Sequence, residues 1–110
     1  MKAKTILIRP VPGTGLAESK DDARKLRETE IFPSLERGQS LILDFGNVEF
    51  ATQSFIHALI SDAIRRYKDE IFDRITFANC TDEVQQIVLT VFEYTIDASE
   101  ASEGLSSDPA

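Results

Sequence analysis

The chain is expected to fold as one mixed α/β domain, with strands and helices in β-α-β-α-β-α order around a mainly parallel sheet. Three observations predict it. Short apolar runs with strand character alternate with longer stretches whose apolar residues recur three and four apart. Hydroxyl or acidic residues open the helical stretches, and glycine or proline punctuates the gaps. The stretch from Leu41 to Tyr67 carries the whole pattern without interruption: buried strand, turn, polar triplet, amphipathic helix.

Taken in order, Lys4 to Arg9 reads as a first strand with Ile6 and Ile8 on one face. Pro10-Val-Pro-Gly-Thr-Gly15 ends it, since neither proline donates to a ladder. Ser19 is placed to cap a helix over about Lys20 to Ile31, with Asp21 and Asp22 at its positive end. Pro33 predicts a break near Phe32, then a short turn from Ser34 that Gly38 stops. Leu41 to Phe45 is nearly all apolar, which predicts a central strand covered on both faces. Gly46-Asn47 supplies a turn, and Thr52-Gln53-Ser54 opens a helix from Gln53 to about Glu70.

That helix buries a stripe of Phe55, Ile56, Leu59, Ile60, Ala63, Ile64 and Tyr67, leaving His57, Ser61, Arg65 and Lys68 away from it. Arg74 to Cys80 reads as the third strand. Thr81 then caps a third helix, buried through Val84, Ile87, Val88, Val91 and Phe92. Beyond Tyr94 the apolar pattern stops. The expected organisation is therefore one domain over residues 1–96 and a disordered acidic tail over 97–110.

Net charge is −7, which argues against nucleic acid and anionic membrane as partners. The acidity is uneven: Asp97, Glu100, Glu103 and Asp108 lie in the last stretch, so the rest is only mildly acidic. A single cysteine excludes an intramolecular disulfide, and one His with one Cys makes a zinc site within the chain unexpected. Neither a signal peptide nor a long apolar run is visible, so a cytoplasmic setting is expected, with no metal or other cofactor.

Several residues could carry chemistry. Pro12-Gly13-Thr14-Gly15 lies between strand and helix, where phosphate loops sit, but it lacks the Gly-Lys-Ser/Thr ending and reads as a turn. Cys80 precedes a helix start, a place that can lower a thiol pKa, and otherwise reads as a small apolar residue. Asp44 reads as a turn acceptor or as a site acid. Ser54 and His57 sit at i and i+3, where a nucleophile and base could meet, with surface histidine as the plainer reading. Thr52 and Ser54 are two hydroxyls where one cap needs one acceptor.

The segment Leu41-Ile-Leu-Asp-Phe-Gly-Asn-Val-Glu-Phe-Ala-Thr-Gln-Ser-Phe-Ile56 resembles the centre of STAS domains, the fold of anti-sigma-factor antagonists. The likeness extends over Ser19 to Tyr94. It implies a small STAS-like sandwich in which Asp44 is the strand-end acid, Val48 a buried turn anchor and Ser54 the phosphoacceptor. It also implies a partner, a histidine-kinase-like ATPase or an anti-sigma factor. The resulting expectation is a regulatory binding module, not an enzyme, that docks its partner through Asp44, Thr52, Gln53, Ser54, Phe55 and His57. A small Ser54/His57 hydrolase or transferase, or a purely structural accessory domain, is the alternative.

Overall fold

The computed structural model describes residues 3–107, with side chains for residues 3–98. Three parallel strands form the main sheet: β1 (Lys4–Leu7), β3 (Leu41–Asp44) and β5 (Ile75–Ala78), with β3 in the centre. Leu43 lies in register with Ile6 on one side and Phe77 on the other. The expected mixed α/β domain with a mainly parallel sheet is what the chain forms. Leu43 and Phe45 are fully buried, as a central strand requires.

Among the described residues, the sheet is covered on one face. Ile6, Ile8, Leu41, Leu43 and Ile75 point into the core, whereas Thr5, Leu7 and Thr76 on the other face are exposed and Ile42 is half-buried. The apolar run therefore overstated the cover, because the alternation of a strand sends Ile42 away from the layer that buries its neighbours.

The helices form that layer. Ser19 caps α1 (Lys20–Leu26) by accepting from the Asp22 N–H at 3.2 Å. The expected break at Phe32 does not occur. Residues Arg27–Ile31 make a wide π-helical turn, closed by the Phe32 N–H on the Arg27 carbonyl, and α2 (Phe32–Glu36) continues from it. Pro33 thereby falls in the first turn of α2, where a missing N–H is tolerated. Gly38, at φ 78°, ends α2 as expected: its N–H reaches Leu35 O and the Gln39 N–H reaches Ser34 O, both at 2.9 Å.

Helix α3 (Gln53–Tyr67) lies between α1 and α5 (Asp82–Ser107). Its predicted stripe from Phe55 to Ile64 is buried, with Tyr67 partly so. It stops at Tyr67, short of Glu70, where Lys68 turns with φ 53° and a 3-10 turn leads into α4 (Ile71–Arg74) and β5. Thr81 Oγ1 accepts from the Val84 N–H at the start of α5 and donates to the Glu49 carbonyl, tying the start of α5 to the segment that follows β3. Residues 97–107, expected as a disordered tail, continue α5, since adding residues to a formed helix avoids the cost of nucleation. Residues 108–110 lie outside the described residues. No helix among the described residues is long and apolar enough to cross a membrane.

Candidate functional site

A short parallel ladder that the sequence did not reveal sets the site. Strand β2 (Leu16–Ala17) pairs with β4 (Phe50–Ala51), Ala17 in register with Ala51. Two residues separate β2 from α1 and one separates β4 from α3, so the N-termini of α1 and α3 emerge side by side. The Gly15 carbonyl accepts from both Glu49 and Phe50, and Gly15 holds φ 70°, a backbone that a residue with a side chain rarely adopts. The preceding Pro-Gly-Thr turn is closed on itself: Thr14 Oγ1 donates to Val11 O and accepts from the Leu16 N–H. It remains a turn.

At the start of α3, Thr52 is the cap. Its Oγ1 accepts from the Phe55 N–H at 3.1 Å, and its own N–H is held by the Ala17 carbonyl. Ser54, two residues on, is exposed and makes no side-chain hydrogen bond among the described residues. One hydroxyl is used by the backbone and the other is left over.

Ser54 opens, with Gln53 and His57, onto a cleft of about 530 Å³ between α1 and α3. Its opposite wall is cationic, with Lys20, Arg24 and Arg27 from α1 and the turn after it, and Arg65 adds a further cation from the far end of α3 itself. Asp62, the one carboxylate in the lining, is engaged by Arg27 at 3.4 Å and by Arg65. Arg27 also donates to the Ala58 carbonyl at 3.3 Å, which clamps α1 onto α3. Ser61 was expected away from the core but is buried, because α1 lies across that face.

The expected partner-facing residues divide three ways. Gln53, Ser54 and His57 share the cleft. Phe55 is only 1 % exposed and packs in the core, so it offers a partner no surface. It follows the cap by one turn position and falls on the buried stripe. Asp44 stands outside the cleft, at the end of β3, where its Oδ1 accepts from the Gly46 N–H at 2.8 Å and from Asn79 Nδ2 at 3.0 Å. Those donors, Asn79 first, hold the carboxyl below its usual range. Gly46 serves by its bareness rather than by a positive φ: a Cβ there would meet Asp44 Oδ1 at 3.0 Å. Val48 is buried, closing the turn through its N–H on Phe45 O.

Cys80 is half-buried against the core, and burial, then the Asp44 charge, push its thiol up from the usual value. The thiol form is favoured there, against the activation that a helix start can give. Among the described residues no three His, Cys, Asp or Glu side chains gather as a metal set would.

A family model described as a STAS-like domain of unknown function (DUF4325) matches residues 22–85. The chain belongs to this STAS-like family. The matched span runs from the first turn of α1 through β3, α3 and β5 into the first turn of α5, so it holds Asp44, Ser54, His57 and most of the cleft. Lys20 lies just before it. Neither the curated proteins nor the solved structures searched contain a match.

Proposed function

We propose that this STAS-like chain is a regulatory module that docks a protein partner at the entrance of α3 and is switched by a phosphate on Ser54. One observation carries the reading: Thr52 caps α3, which leaves the Ser54 hydroxyl exposed and without a structural duty. A phosphate there adds about −1.5 to −2 charges at a helix N-terminus, where the backbone favours it. The fold is then undisturbed while a partner meets a changed surface. Gln53 and His57 flank Ser54 in the same cleft and belong to the docking face. The family likeness supports a histidine-kinase-like ATPase or an anti-sigma factor as the partner class. A cytoplasmic setting accords with that class.

The test compares wild type, Ser54→Ala and Ser54→Asp in titrations against a purified ATPase of that class encoded beside this chain. Ser54→Asp is expected to bind at least tenfold more weakly, about 1.4 kcal/mol, while Ser54→Ala binds as wild type does. Equal binding by all three, each correctly folded, rules out the charge switch. A hydrolase using Ser54 and His57 is the rival, since the cleft holds both. Turnover of generic esters that disappears in His57→Ala would establish it instead.

A further inference from the structure

We propose that the cleft between α1 and α3 is a binding site for a small phosphorylated ligand, independent of any modification of Ser54. The protein as a whole is acidic, at −7, yet the lining of this cleft holds four cationic side chains and one carboxylate, with Glu28 and Asp21 pairing Arg27 and Arg24 from outside it. Asp62 is already shared by Arg27 and Arg65. That leaves, among the described residues, Lys20, which makes no ion pair, and Arg24, whose one ion pair is with the highly exposed Asp21 at 3.6 Å. An ion pair so open to solvent holds Arg24 weakly. Two cations are thus available to one anion, which suits a dianion such as a phosphate monoester.

A second, independent observation is Ser61. It is only 3 % exposed, lines the cleft and makes no side-chain hydrogen bond among the described residues. Ser61 Oγ is not among the buried atoms left without a partner, so the hydroxyl keeps an opening to the cleft and is free to bond a group that enters it. The start of α3 adds donors of its own. Thr52 takes the Phe55 N–H, which leaves the N–H groups of Gln53 and Ser54 in the first turn of α3 without an intrahelical acceptor. Cations and a hydroxyl along the cleft, with free backbone donors about 10 Å from Ser61 along the axis of α3, match a ligand that carries acceptor oxygens at more than one point. The volume, about 530 Å³, falls in the range of small-molecule sites. An acidic peptide would need a continuous basic track, whereas the unpaired cations here are confined to one wall.

The test is an amide chemical-shift titration of the unphosphorylated full chain, without partner, using inorganic phosphate and pyrophosphate at constant ionic strength set by chloride. Saturable shifts are expected at Lys20, Gln53, Ser54, His57 and Ser61, stronger with pyrophosphate. The double variant Lys20→Ala, Arg24→Ala should bind pyrophosphate at least tenfold more weakly. Both side chains are exposed, so its melting temperature without ligand should match that of wild type. Absence of saturation, equal shifts with chloride alone, undiminished binding by the double variant, or shifts produced only by an acidic peptide would each overturn the proposal. Because no partner is present, failure here leaves the docking reading intact, and failure of partner docking leaves this one intact.

Discussion

The Asn79 side-chain amide donates to Asp44 Oδ1 at 3.0 Å, joining the ends of two neighbouring strands across 35 residues of sequence. Asn79 does so from a left-handed backbone, φ 58°, a conformation that asparagine tolerates better than most residues. The bond stabilises the charged form of Asp44, and the Gly46 N–H adds to it.

A pH dependence follows. The folded carboxyl lies below its usual value, so the unfolded chain takes up the proton first on acidification. The stabilisation is therefore full above the ordinary carboxylate range, about pH 4, and is lost as pH falls through the folded value. Urea denaturation of wild type should show a steeper loss of stability on acidification below about pH 5 than Asp44→Asn. Parallel curves would show that the contact contributes nothing to acid sensitivity.

The division of labour between Thr52 and Ser54 is measurable as stability. Thr52→Ala removes the acceptor of the Phe55 N–H and should cost about 0.5–2 kcal/mol. Ser54→Ala should stay within roughly 0.5 kcal/mol of wild type, as an exposed position without a bond does. Similar losses in the two variants, from denaturant midpoints at equal slope, would show that both hydroxyls cap.

The one-sided sheet makes a contrast between residues on the two faces of β3 and β5. Leu43→Ala should cost about 2–5 kcal/mol, since the side chain is fully buried between Ile6 and Phe77. Thr76→Ala on the open face should cost roughly 1 kcal/mol or less. A large loss at Thr76 would mean that something covers that face.

Cys80 should react slowly. Burial and the Asp44 charge both favour its protonated form, so iodoacetamide at about pH 8 should label the folded protein on the order of tenfold more slowly than the urea-unfolded chain. Asp44→Asn should bring the folded rate partway up, because it removes the smaller of the two causes. Equal rates for folded and unfolded chains would contradict the protected thiol.

What the sequence determined by itself is local. Ser19, Thr52 and Thr81 cap their helices because a side-chain oxygen and an unpaired N–H lie three residues apart wherever the rest of the chain goes. Gly38 stops α2 for the same kind of reason, and the stripe from Phe55 to Ile64 had to be buried against something. The tertiary structure decided what that something left open. Ser61 is off the stripe, yet α1 crosses over it, and the Arg27 bond to the Ala58 carbonyl that clamps this crossing joins residues 31 apart. The ladder of β2 with β4 is two residues long on each side, too short for any periodicity, yet it sets the two helix starts together. Even Pro33 obeyed its context, sitting in a helix that a π turn upstream had shifted to receive it. Periodicity records what each segment must bury, but a cleft is the space between segments, and only their packing creates it.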